Sequence, residues 1–222
     1  MTRPDQTVRQ WTSAPPPVDA ARILRVHKYT DPSKVRPVIR DAAEKAVGEA
    51  AKLAVPSAHY VVNAIESLES GRLRLACGIN FDCAAFDQHL CGARHLLAFV
   101  MTIGPRLDAT VLSLVEDVFE PLDALFLETA GWLTIEAATK NFARHLKEEF
   151  AAHGRSLTLR MGPGYDYRSH NGGGRVRWDL WQQRELFQMF EGTDLPVELM
   201  ESCAMLPKMS RSGVFGLIPR ES

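Results

Sequence analysis

Arg160-Met161-Gly162-Pro163-Gly164-Tyr165 and Glu201-Ser202-Cys203-Ala204-Met205-Leu206-Pro207-Lys208-Met209-Ser210-Arg211-Ser212-Gly213 are the two segments on which the reading of this chain turns. In the first, an arginine precedes a run broken by two glycines and a proline. A guanidinium presents a planar fork that pairs both oxygens of a carboxylate. Glycines beside it let the backbone approach a neighbouring group closely. In the second, Ser202, Ser210 and Ser212 are of the type that shapes turns through side-chain hydrogen bonds.

Outward from these segments, Asp179–Phe190 carries Leu180, Leu186, Phe187 and Phe190 on one side, which predicts a helix. Leu157–Arg160 reads as a strand, and two more are expected over Glu198–Met205 and Ser212–Ile218. Gly162–Gly174 reads as a long glycine-rich loop whose Tyr167, Arg168, His170 and Gly172–Gly174 are available to a partner. Its Gly-Gly-Gly run has no strand-to-helix fingerprint around it and is a weak sign of phosphate binding.

Further upstream, Leu96–Ile103 is almost wholly apolar and ends in Gly104-Pro105, the pattern of a buried strand and a turn. Pro105 opens a helix predicted to reach Val118. Pro121 opens a longer one predicted to reach His153, with Gly154 as its stop. Tyr60–Ile65 and Arg72–Ile79 predict a hairpin turning near Ser70-Gly71, since Leu73, Leu75, Cys77 and Ile79 alternate with other residues. A short helix is expected over Ala84–Cys91. From Ser33 to Leu53, Val35, Val38, Ile39, Ala42, Ala46, Ala50 and Leu53 keep helical spacing, and Pro56 ends that helix. Residues 1–20 are polar and proline-rich and predict a flexible arm. Helices and strands mix without a regular βαβ beat, so the class is α+β. The domain is expected over 21–222, with a helical and hairpin part over about 21–95 and a core over about 96–218.

The formal net charge of -1 over 222 residues gives no electrostatic footprint for nucleic acid. No run of about 18 apolar residues predicts a membrane span. The first residues lack the apolar stretch of a secretory signal, so Cys77, Cys83, Cys91 and Cys203 are expected as reduced thiols in the cytoplasm. Cys77, Cys83 and Cys91 lack the close paired spacing of a metal site, and Cys91 fits a core position before a strand. His59, His95, His145 and His153 are scattered. No Ser-His-Asp or Cys-His arrangement can be argued from spacing, so no catalytic side chain is assigned.

Together the two opening segments resemble the activation domain of cobalamin-dependent methionine synthase. That family carries Arg-x-x-x-Gly-Tyr, a helix, and Glu-Ser-x-Ala-Met-x-Pro-x-x-Ser-x-Ser-Gly, in the order found here. The resemblance is strong over about Thr158–Gly213. It is weaker over about Leu96–Phe150, where Thr102-Ile103-Gly104 and Ile135-Glu136-Ala137-Ala138 fit small stand-alone relatives. It does not extend before residue 56.

The resemblance implies a mixed or antiparallel twisted sheet with flanking helices, and S-adenosylmethionine as ligand of the 96–218 core. Arg160 would hold the ligand carboxylate, the backbone at Gly162 would contact the ligand, and Tyr165 would stand beside the methyl-transfer path. Glu136 would make an acidic contact, and Pro163, Gly164, Ser202 and Ala204 complete the candidate site. The cobalamin would be supplied by a partner, either a methionine synthase whose activation domain is a separate chain or another corrinoid protein. The reductant would be of flavodoxin or ferredoxin type. A sulfonium methyl is already electrophilic and Co(I) already nucleophilic, so the protein's contribution is positioning rather than acid–base chemistry.

Plainer readings stand beside these. Arg160 can be a surface arginine ending a strand, Tyr165 a cap on an apolar cluster, and Glu136 a solvated helix position. Asp87-Gln88-His89-Leu90-Cys91-Gly92 matches the Asp-x-His-x-x-Gly pattern of cobalamin-binding modules, but the downstream glycine and serine signals of that doubly wound domain are missing, and it is read as a helix. The chain shows no methyl-acceptor, folate or cobalamin module, which makes it an accessory subunit. Nine residues follow Gly213, where the family continues into a tyrosine-containing segment. A corrinoid-protein docking module without ligand is the alternative of a different class. A Rossmann-type methyltransferase is disfavoured by the lack of a glycine-rich turn after an early strand.

Overall fold

The computed structural model describes residues 7–116, 120–168 and 174–220. In chain order its first half comprises β1 (Arg9–Thr12), α1 (Ala20–Val26), α2 (Pro37–Leu53), β2 (Ser57–Glu69), β3 (Arg72–Leu75), β4 (Asn80–Asp82), α3 (Phe86–His89), β5 (His95–Thr102) and α4 (Arg106–Glu116). Then come α5 (Pro121–Ala151), β6 (Arg155–Leu157), β7 (Asp166–Arg168), β8 (Arg175–Arg177), α6 (Gln183–Gln188), β9 (Glu198–Leu199), β10 (Met205–Leu206) and β11 (Ser210–Pro219).

Seven strands form the main sheet, in the order β4-β3-β2-β5-β11-β6 with β1 added alongside β2. Every pairing in it is antiparallel. β5 lies in the middle and is buried on both faces. Leu97, Phe99 and Met101 point to a core shared with α1, α2 and α5, while Leu96, Ala98 and Val100 point to a second core around Phe81, Phe86 and Trp178. Two buried faces explain why this strand reads as an unbroken apolar run. The architecture is the expected α+β class with an antiparallel sheet and flanking helices.

The helical layer follows from its sequence. α2 packs Ile39, Ala42, Ala43, Ala46 and Ala50 inward. α5 opens at Pro121, where a missing N–H is no loss, and presents Phe126, Ala130, Ile135, Ala138, Phe142 and Leu146 to the same core. It ends at Ala151, and Gly154 follows in the left-handed region at φ 66°. The other face is covered by short pieces. The β7–β8 hairpin, α3 and α6 surround Trp178, whose indole meets Phe86 and Phe81 edge-on at 4.9 and 5.5 Å.

Several elements differ from expectation. The flexible arm expected over 1–20 is corrected at residues 9–12, which are paired to β2 with Trp11 packed 5.3 Å from the Phe142 ring. The loop expected over 162–174 contains β7, which pairs with β8 just beyond it through backbone bonds and through Arg177 on Asp166. His170, Gly172 and Gly173 lie outside the described residues. The strand expected over Glu198–Met205 is two short strands around a turn at Cys203, which sits at φ 62°. The helix expected over Ala84–Cys91 is a single turn, and Cys91 is exposed rather than in the core. No helix among the described residues is long and apolar enough to cross a membrane.

Candidate functional site

Of the residues singled out from the sequence, Glu136, Arg160, Pro163, Tyr165 and Ala204 border one groove with two lobes. The first is a cavity of about 370 Å³ between α5, the segment leaving β6, and β11; Glu136, Lys140, Lys147, Arg160, Tyr165 and Arg211 border it. The second, about 350 Å³, lies beside Trp132, Pro163, Leu180, Gln183 and Ala204. Tyr165 and Arg211 border both. Together the lobes fall within the range of small-molecule sites, about 300–1,000 Å³.

Arg160 reaches the groove because β6 is followed by an isolated bridge of Met161 to Val214 of β11. Its guanidinium donates to the Ser212 carbonyl at 3.4 Å and lies over the Tyr165 ring, 5.0 Å from the centroid. Among the described residues no carboxylate stands within ion-pair distance of it. Tyr165 is 45% exposed, so it is no cap on an apolar cluster.

The glycines and proline of this segment shape it. Gly164 turns the chain at φ 84°, donating its N–H to the Trp178 carbonyl at 2.7 Å. A side chain there would be strained and would crowd Leu180. Pro163 is buried and borders the second lobe. Gly162 is engaged differently from expectation. Its N–H donates to the Tyr167 hydroxyl at 2.6 Å and its carbonyl accepts from that hydroxyl at 3.1 Å. Both polar groups of Gly162 thus meet the Tyr167 hydroxyl, and Gly162 borders neither lobe.

Glu136 projects from α5 into the first lobe. Its carboxylate accepts from Lys140 at 2.7 Å and from Arg22 of α1 at 3.1 Å. The Lys140 hydrogen bond holds its pKa below the ordinary carboxylate value; burial opposes this, and the charges of Arg22 and Lys140 add to the lowering. The N-terminal part, for which sequence offered no role, thus supplies a side chain that holds one of the groove's residues.

Of the second segment, Ala204 borders the second lobe. Ser202 borders neither lobe. Its hydroxyl accepts from the Ala204 N–H at 3.4 Å, so it shapes the turn. Ser210 donates to the Pro207 carbonyl at 2.6 Å. Ser212 donates to Oε1 of Gln183 at 3.2 Å, and Nε2 of Gln183 donates to the Cys203 carbonyl at 2.9 Å. Gln183, only 3% exposed, thereby ties the turn to β11. Asp108 of α4 accepts from the Lys208 backbone N–H, and Lys208 also pairs with Glu128. Burial pushes the Asp108 carboxyl upward, opposed by backbone hydrogen bonds from Lys208 and Met209.

Sequence reasoning missed Arg211 and Gln183. Arg211 occupies a position the motif leaves open, and Gln183 finds its partners 20 and 29 residues away. His89 of the Asp87–Gly92 segment packs its ring 5.6 Å from that of Tyr167. Among the described residues no cluster of three His, Cys, Asp or Glu side chains is placed to hold a metal ion.

No protein-family model matches the chain, and no curated protein sequence does. By fold, however, it is an α+β domain with a known counterpart. Among solved structures it is similar to the MetH reactivation domain bound to AdoHcy, with a TM-score of 0.66 at 15% sequence identity, covering 97% of this chain and 80% of that one. At that identity the likeness is one of fold.

Proposed function

We propose that this chain binds S-adenosylmethionine in the two-lobed groove and supports reductive methylation of a cobalamin held by a separate protein, a methionine synthase whose activation domain is its own chain. The observation that carries this reading is the meeting of Arg160, Tyr165 and Glu136 at one groove, in a fold whose solved neighbour holds AdoHcy.

Bound there, S-adenosylmethionine supplies an electrophilic methyl group. The chain's own residues bind and orient. Arg160, free of any carboxylate among the described residues, offers its fork to the ligand's carboxylate. Tyr165 supports the guanidinium from below and stands at the junction of the lobes. Glu136 offers negative charge to the ligand's ammonium only in competition with Lys140 and Arg22. Holding two reactants in register is the main contribution such a site makes. The methyl acceptor comes from the partner, kept reduced by a flavodoxin- or ferredoxin-type protein in the cytoplasm.

Calorimetry with S-adenosylmethionine tests the reading. Wild type is expected to bind, and Arg160→Ala to bind about 2 kcal/mol more weakly, roughly 30-fold, the scale of a lost charged hydrogen-bond pair. Absence of heat in both proteins overturns the proposal.

A further inference from the structure

The groove holds more positive charge than one carboxylate clamp needs. Four cationic side chains, Lys140, Lys147, Arg160 and Arg211, border the first lobe against the single carboxylate of Glu136. That carboxylate is already bonded by Lys140 and Arg22. Arg160 and Arg211 have no carboxylate within ion-pair distance among the described residues.

Arg211 is the more unusual of the two. It is partly buried, lies on β11 in register with Met101 of β5, and borders both lobes. Phe215 borders the first lobe too, as side chains four apart on a strand share a face. Burial holds the Arg211 guanidinium below the ordinary arginine value; Tyr165 and Glu136 oppose the shift, while the positive charge of Arg160 adds to it. Arg160 in turn is hydrogen-bonded to the carbonyl of Ser212, the next residue on the strand. Two like charges gathered at one partly desolvated spot repel each other unless an anion lies between them. The Ser-x-Ser-Gly motif leaves position 211 open, so the family resemblance assigns it nothing.

We propose that Arg160 and Arg211 form a two-guanidinium clamp for a single anionic group at the junction of the lobes. The inference rests on the ligand reading above, and extends it: the anion is the α-carboxylate of the S-adenosyl ligand, and Arg211 is a specificity-determining residue for it.

The test compares wild type, Arg211→Met and Arg211→Lys by calorimetry, each first shown by circular dichroism and thermal melting to be folded. Three probes are used: S-adenosylhomocysteine, 5′-methylthioadenosine, which keeps the nucleoside and thioether but lacks the carboxylate, and inorganic phosphate. S-adenosylhomocysteine is expected to lose about tenfold or more in affinity in Arg211→Met and less in Arg211→Lys, while 5′-methylthioadenosine binds all three within about twofold. Unchanged S-adenosylhomocysteine affinity in Arg211→Met overturns the clamp and leaves the S-adenosyl reading standing. Equal loss of both nucleosides also overturns it, because Arg211 then acts on the nucleoside. If neither nucleoside binds but phosphate binds wild type and not Arg211→Met, the clamp stands as an anion site and the S-adenosyl reading fails. If no probe binds, both fail.

Discussion

The guanidinium of Arg160 lies over the ring of Tyr165, 5.0 Å from its centroid. The two residues are joined through Met161, Gly162, Pro163 and Gly164, and the left-handed turn at Gly164 folds the ring back beneath the charge. An arginine held this way gives up less rotamer freedom when it engages a ligand.

Removing the ring should therefore weaken binding indirectly. Tyr165→Leu is expected to reduce S-adenosylhomocysteine affinity by about 0.5–1 kcal/mol, the worth of an exposed cation–π pair, or roughly two- to fivefold. Tyr165→Phe should retain most of it. Calorimetric titration of both variants checks the pair, and equal behaviour of Leu and Phe would count against it.

Gln183 joins Cys203 and Ser212 from a buried position. Gln183→Leu keeps the volume but strands a buried carbonyl and hydroxyl, at about 1–3 kcal/mol. The midpoint of urea unfolding should fall accordingly, with an unchanged m-value.

Gly213 is packed more tightly than its place in a strand requires. A Cβ there would stand 2.6 Å from the Met161 carbonyl oxygen and 3.1 Å from Phe99 Cε1. That carbonyl accepts the Val214 N–H, so it cannot retreat without breaking the bridge that delivers Arg160. Gly213→Ala is expected to destabilise by about 1–3 kcal/mol, as overpacked cores do, and to weaken ligand binding as well. Denaturant unfolding and calorimetry on the same sample would reveal both effects.

Acid should destabilise the fold before it reaches the carboxylate range. Burial lowers the pKa of His27, His59 and His95, with Arg155 adding to the effect at His95 and Asp194 opposing it at His59. The folded state resists protonation at these rings, whereas the unfolded chain takes up protons near the ordinary value of about 6.5. Their contribution is complete above that value and is lost as pH falls through it toward the folded pKa values. Urea midpoints measured from pH 7.5 down to 5.5 should decline. The decline should be shallower in His27→Gln, whose amide can still meet the Thr129 hydroxyl now 2.8 Å from the ring.

Much of the fold was legible because its signals are local. The apolar run of β5 and the Pro121-to-Gly154 span of α5 are written in consecutive residues. β1 was not legible. Arg9, Gln10 and Thr12 carry no strand pattern, and what orders them is the backbone edge of β2 and the packing of Trp11 on Phe142. The candidate site divides the same way. Arg160 and Tyr165 belong to a contiguous motif. Gln183 and Arg211 take their meaning from residues brought near by the sheet, and the bond from the Gly162 N–H to the Tyr167 hydroxyl is a pairing no local pattern announces.

Position 211 sits on a strand whose backbone is laced to β5 from Ser210 to Leu217, so its conformation is set by neighbours rather than by its own side chain. The cleft's charge can consequently be retuned at that one codon without renegotiating the scaffold. Descendants of this domain could switch which small molecule they admit by a single exchange there, while every strand stays where it is.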